Sequence, residues 1–105
     1  MAKQQEGIIS TRCLKYLDEL KTKGVPLEYF HRSGLGGFQY KKGIPDIYII
    51  IGPYHIECEM KTPWGHLSTR QEYYKNKFAR MGTPYINPRS FEEFKEYIDK
   101  FYVLK

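Results

Sequence analysis

The chain has 105 residues, enough for one hydrophobic core of modest size and too few for two. Its composition is 41% hydrophobic and 16% aromatic, with ten Tyr, which excludes a disordered polar chain. Seventeen Lys and Arg against twelve Asp and Glu leave a formal charge of +5, a balance that favours a polyanionic partner without requiring one.

Cys13 and Cys58 fit neither a disulfide framework nor the spacing of a zinc site, and both fall in apolar-periodic segments, so both are expected as buried thiols. The first ten residues, MAKQQEGIIS, contain no apolar h-region, and no run approaches the length needed to span a bilayer. The expectation is one domain over residues 1–105, cytoplasmic and without a membrane partner.

In chain order, Ile8, Ile9, Cys13, Leu14, Tyr16, Leu17 and Leu20 recur at three- and four-residue steps and predict an amphipathic helix over 6–23. Gly24 and Pro26 end it. VPLEYFHRS reads as a strand, and GLGGFQYKKG, with four Gly and no period, as a loop near a ligand. That loop lacks the G-x-x-x-x-G-K-[ST] pattern and the strand-to-helix setting of a phosphate cradle.

DIYIII is a β-branched run, apolar on both faces as a central strand would be. After a tight hairpin at Gly52 and Pro53, HIECEMK alternates: Ile56, Cys58 and Met60 on one face, His55, Glu57, Glu59 and Lys61 on the other. Ser68 with Gln71 three residues on forms a capping-box pattern that opens a helix running to about Arg80, and Gly82 closes it. TPYINP is a short strand, and Ser90 with Glu93 repeats the capping signal before a last helix through Phe94, Tyr97, Ile98 and Phe101. The order αβββαβα predicts an α/β fold, a mixed sheet flanked by helices, with the strand after the second helix rejoining the sheet by a crossover.

Antiparallel pairing across a short turn sets the start of the first strand beside the end of the second, so Asp46 converges with Glu59 and Lys61. Two carboxylates with waters and a substrate phosphate suit Mg²⁺, and the two-residue step from Glu59 to Lys61 sends both side chains to one face, where an ammonium can lie beside the ion's water. A cross-strand salt bridge between Lys61 and Asp46 or Glu59 on a solvated face is the plain structural alternative. Basic groups able to meet phosphate are Lys41, Lys42, Arg70, Lys75 and Arg89, interleaved with Tyr40 and Tyr74, while Trp64 could stack on a base. His55 reads as a surface residue beside the turn, with Glu57 or His55 available as a supporting partner to the site; His31 and His66 read as loop or packing residues.

GIPD, followed thirteen residues after its aspartate by EMK, resembles the PD-(D/E)xK nuclease superfamily. More narrowly, GIPDIYIIIGPYHIECEMKTPWGHLSTRQ resembles the virus-type replication-repair nuclease family, VRR-NUC, in which a G-x-P-D strand, an E-x-K strand, a G-x-L-S loop and a following Gln recur in this order. The resemblance covers almost the whole chain and implies a restriction-endonuclease-like mixed sheet flanked by helices. It implies Asp46 and Glu59 as ligands of Mg²⁺ or Mn²⁺, joined by the backbone carbonyl of Met60, with Lys61 orienting or activating the attacking water. It also carries a glutamate at the start of the first helix onto Glu6 and a glutamine onto Gln71. Glu6 could equally serve the helix dipole, and Gln71 the capping box.

What the resemblance implies in function is a metal-dependent endonuclease cutting structured DNA, similar to a Holliday-junction resolvase and acting as a homodimer, as in the single-domain members typical of bacteriophage genomes. A catalytically silent nucleic-acid-binding module on the same fold is the rival reading, and an RNA nuclease a third.

Overall fold

The computed structural model describes residues 2–32, 43–61 and 64–102, with side chains from residue 7 onward. The expected ligand-side loop therefore lies, up to residue 42, outside the described residues.

Helix α1 spans Ala2–Thr22 and buries Cys13, Leu17 and Leu20, the inward positions of its period. Ile8, expected on that face, is 62% exposed: the sealed part of the core begins at Cys13, a turn and a half further along α1. Val25 donates its N–H back to Leu20 O at 3.0 Å, and the chain turns at Gly24 into β1, Leu27–His31.

Strands β2, Ile47–Ile51, and β3, Tyr54–Cys58, form the expected hairpin, with Ile47 opposite Cys58 and Ile51 opposite Tyr54. Strand β1 pairs antiparallel with β2, His31 opposite Ile47. After α2, Thr69–Met81, the two-residue β4, Tyr85–Ile86, returns parallel to β3, and α3, Phe91–Asp99, follows. The sheet order is β1-β2-β3-β4, mixed as expected, with α2 as the crossover that a parallel neighbour requires.

One face of the sheet carries Leu27, Ile47, Ile49, Ile51, Ile56 and Cys58 into a continuous core closed by α1 and by Phe94 and Ile98 of α3. Burial pushes the Cys13 thiol up to about 12 and the Cys58 thiol well above its ordinary value, so neither is a thiolate at neutral pH. On the opposite face the expectation of a doubly buried β2 needs correcting. Tyr48 and Ile50 stay half-exposed because α2 meets the sheet at β4, through Phe78 stacked on Tyr85, and does not extend over β1 and β2.

Both caps form. Ser68 accepts from Gln71 N at 3.1 Å while Gln71 Oε1 accepts from Ser68 N at 2.7 Å, and Gly82 in the left-handed region ends α2. At α3 Ser90 accepts from Glu93 N, but the Glu93 carboxylate accepts from Arg89 N rather than from Ser90 N, shifting the box by one residue. Among the described residues no helix is long and apolar enough to cross a membrane.

Candidate active site

Past Cys58 the chain stays extended alongside β4. Glu57, Glu59 and Lys61 donate their N–H groups in turn to the carbonyls of Pro84, Ile86 and Pro88, at 2.9, 3.0 and 3.3 Å. That every-other-residue ladder preserves the alternation, so the side chains of 57, 59 and 61 leave on the face away from the core. Cys58 and Met60 point the other way, with Cys58 Sγ 3.6 Å from Met60 Sδ in the core.

Glu59 is only 2% exposed, which removes the solvated face that the salt-bridge alternative required of it. The burial comes from the first turn of α2 and from the segment after β4. Gln71 Nε2 donates to Glu59 Oε2 at 3.2 Å, and Asn87 Nδ2 donates to the Glu59 carbonyl at 2.6 Å. A carboxylate is expensive to bury, and one whose side chain accepts from a neutral amide, with a second amide on its backbone carbonyl, is the kind of group that functional sites collect.

Gln71 makes the cap bond and a second bond to Glu59 at once. Its oxygen accepts the cap N–H of Ser68, leaving its amide group to face Glu59. The reverse orientation would set donor against donor and acceptor against acceptor, so the network admits one placement of the amide. A local helix signal thereby fixes the rotamer of a residue that orients a carboxylate twelve residues earlier.

Asp46 enters from the position just ahead of β2. Its Oδ2 accepts from Met60 N at 3.4 Å, which draws the Asp46 carboxylate to the peptide that follows Glu59. Two features hold it there. Gly43, at φ +88°, packs so tightly on α2 that a Cβ would stand 2.4 Å from Arg70 Cβ and 2.7 Å from its carbonyl carbon; only glycine fits. Arg32 supplies the second: its N–H donates to Asp46 O at 2.7 Å, and its guanidinium donates to Pro45 O at 2.8 Å and to the two oxygens of Glu57 at 2.8 and 3.4 Å. The pair is well shielded, at 24% and 12% side-chain exposure, and the guanidinium also lies over the Tyr48 ring.

Arg32 was not singled out from the sequence, because its partners come from the register that sets β1 against β2 and β3. Asn87 and Tyr85 were missed for the same reason. The Tyr85 hydroxyl is buried without a hydrogen-bond partner among the described residues, and burial followed by the charge of Glu59 holds its phenol well above the ordinary value. It remains a protonated donor beside the carboxylate.

The other expected residues distribute as follows. Lys61 is half-exposed and belongs to none of the ion pairs among the described residues, so the salt bridge with Asp46 or Glu59 is absent there. Trp64, 60% exposed, Arg70 and Lys75 are solvent-facing on the loop and on α2. Arg89 is half-buried and its guanidinium donates to the Gly65 carbonyl, tying down the loop after Lys61. His55 sits on the open face against Tyr48, whose hydroxyl it meets through Nδ1, away from Asp46. Lys41 and Lys42 lie outside the described residues, as does the side chain of Glu6.

Among the described residues no three His, Cys, Asp or Glu side chains gather as a metal cluster. The local donors are two carboxylates and the Met60 carbonyl, all oxygen. That set fits a hard divalent cation that keeps several waters, and it does not suit a zinc-type site.

Among the described residues these elements define an α/β protein of three helices and a four-stranded mixed sheet in the order αβββαβα. A solved structure described as a VRR_NUC domain shares this fold, with a TM-score of 0.74, 17% sequence identity, and coverage of 93% of this chain and 98% of that one. No family model and no curated protein matches the sequence. At that identity the likeness is one of fold, and the chain has the VRR_NUC fold.

Proposed function

We propose that this chain is a metal-dependent nuclease that hydrolyses phosphodiester bonds in DNA, with Asp46, Glu59 and the Met60 carbonyl holding Mg²⁺ or Mn²⁺. The observation that carries the reading is the meeting of the Asp46 carboxylate with the Met60 N–H, directly beside a buried Glu59 gripped by Gln71. The VRR_NUC fold supports it independently.

When bound, the divalent cation supplies positive charge that acidifies water and offsets charge on the phosphate. The protein's own contribution is placement. Asp46 is fixed by Arg32 and Gly43, Glu59 by Gln71 and Asn87, so the carboxylates do not have to reorganise as charge develops. Lys61, leaving on the Glu59 side, brings an ammonium that orients the attacking water and balances the phosphate's developing charge. Glu6 is assigned to the same site from the start of α1, and Lys41, Lys42, Trp64, Arg70, Lys75 and Arg89 to the surrounding nucleic-acid surface.

The finer reading is a branched substrate, a four-way junction cut at two symmetric positions by a homodimer. The test is cleavage of labelled linear, flap and four-way DNA, with an RNA hairpin alongside, in Mg²⁺ or Mn²⁺. Wild type cuts and Asp46→Asn and Lys61→Ala do not, the loss of a ligand costing a factor of about 10³ or more. Equal cutting by all three proteins would end the proposal, and metal-independent binding without cutting would favour a silent binding module.

A further inference from the structure

A second charged feature lies on the helical side of the molecule. Between α1 and α3 runs a groove of about 480 Å³, lined by Arg12, Lys15, Tyr16, Glu19, Lys23, Phe91 and Lys95. Four cations face one carboxylate there. Tyr16 and Phe91 form its floor, edge to face at 5.7 Å, with the Arg12 guanidinium 4.3 Å above Phe91 and Lys95 Nζ 5.4 Å above Tyr16. Lys95 also pairs with Asp99 at 2.8 Å and Arg12 lies 4.0 Å from Glu92, whereas Lys15 and Lys23 enter no ion pair among the described residues.

This groove does not end blindly. Arg12 and Phe91 also line a smaller cavity of about 250 Å³ that continues to Arg89 and Ser90, and Arg89 holds the Gly65 carbonyl in the loop between Lys61 and α2. A path edged by Arg12 and Arg89, with Ile8, Ile9 and Glu92 also in its wall, thus leads from the loop flanking the candidate site to the far end of α1.

We propose that the α1–α3 groove is a docking track for the phosphate backbone of a DNA duplex, carrying an arm of the substrate away from the Asp46 and Glu59 site. The proposal rests on the nuclease reading and extends it to a surface outside that site. Length and charge select the occupant. Arg12 to Lys23 covers eleven residues, or ~16 Å of helix, over which a duplex presents roughly nine phosphate charges. A repeating anion of that reach meets Lys15 and Lys23 together and continues past Arg12 towards the loop at Gly65. An isolated acidic group would engage one or two of them and stop.

The test measures binding of fluorescent duplexes by anisotropy in metal-free buffer across a salt series, for wild type and the doubly substituted Lys15→Ala/Lys23→Ala. Both side chains are exposed, and a thermal melt verifies the fold. For a duplex of about 30 base pairs the double variant binds about tenfold more weakly, and its salt slope falls by about 2, one for each phosphate that a lysine no longer neutralises.

Identical affinity and slope for the duplex would overturn the proposal. Loss of polyglutamate-competed binding or of adhesion to anionic phospholipid vesicles, with duplex binding intact, would overturn it in favour of an acidic protein or a membrane. Binding is read without cleavage, so the two readings fail separately. Groove-dependent binding with no hydrolysis in Mg²⁺ sinks only the nuclease reading, and hydrolysis with groove-independent binding sinks only the track.

Discussion

On the face covered by α1 and α3, strands β2 and β3 present Ile47, Ile49, Ile51, Ile56 and Cys58, all at 0 or 1% exposure. On the other face Tyr48, Glu57 and Glu59, with Asp46 just ahead of β2, bring carboxylates, a phenol and the paired Arg32 guanidinium. The same ten or so backbone positions therefore build a dry core and a polar site by alternation alone. The difference lies in what compensates burial. The core side needs only shape and apolar area, whereas the buried polar groups on the open side, the Tyr85 hydroxyl excepted, draw partners from the end of β1, from α2 and from the segment after β4.

Two substitutions separate the faces most sharply. Phe94→Ala removes a fully buried ring from the core and should cost about 3–5 kcal/mol, measured by denaturant unfolding. Glu59→Gln should do the opposite. Cleavage in Mg²⁺ falls by a factor of about 10³ or more, while thermal stability without metal is kept or raised, because a buried negative charge beside Asp46 is removed and the Gln71 amide still finds an oxygen. A Glu59→Gln protein as unstable as Phe94→Ala would make Glu59 a structural residue.

A smaller effect is expected at Arg32, where the open face depends on a single guanidinium. Arg32→Ala leaves the shielded Glu57 carboxylate without its partner and frees the Pro45 carbonyl, while the backbone N–H of residue 32 still donates to Asp46 O, costing about 2 kcal/mol of stability. It should also raise the Mg²⁺ concentration needed for half-maximal cleavage about tenfold, a readout that general destabilisation would not move. Arg32→Lys restores part of the stability and less of the metal response, since a point charge cannot span Glu57 and Pro45 O as a planar fork does.

The rim of the core gives the smallest effect. Burial favours a protonated Asp99, but the hydrogen bonds from Lys95, Tyr16 and Tyr102 outweigh it and hold the carboxyl below its ordinary value. A carboxyl with a depressed folded pKa stabilises the fold fully above its unfolded value, near 3.9, and loses that contribution as pH falls through the folded one. Asp99→Asn should therefore lower the melting temperature at pH 7 by about 4–8 °C, for a loss of about 1 kcal/mol, with the gap to wild type closing as the solution is acidified. A gap that widened in acid would contradict the assignment.

Much of this arrangement was legible from local rules. The 3.6-residue period marked α1, the Gly52-Pro53 turn marked the hairpin, and Ser68 with Gln71 marked the start of α2 to the residue. Alternation along 57–61 put Glu59 and Lys61 on one side, and the backbone ladder to 84–88 preserves it. What stayed hidden depends on registers between distant segments. Nothing near Arg32 in sequence announces Glu57, twenty-five residues away, and nothing near Asn87 announces the Glu59 carbonyl. The burial of Glu59 was left open for a related reason: alternation tells which face a side chain leaves from, and only the placement of α2 decides whether that face meets water.

The most direct test is a titration of the metal-free protein with Mn²⁺, followed by calorimetry and by the electron spin resonance of the free ion. The account predicts one principal site per chain in wild type, weakened more than tenfold in Asp46→Asn and again in Glu59→Gln, with both variants folded. Wild-type affinity in either variant would show that these two carboxylates do not share a cation.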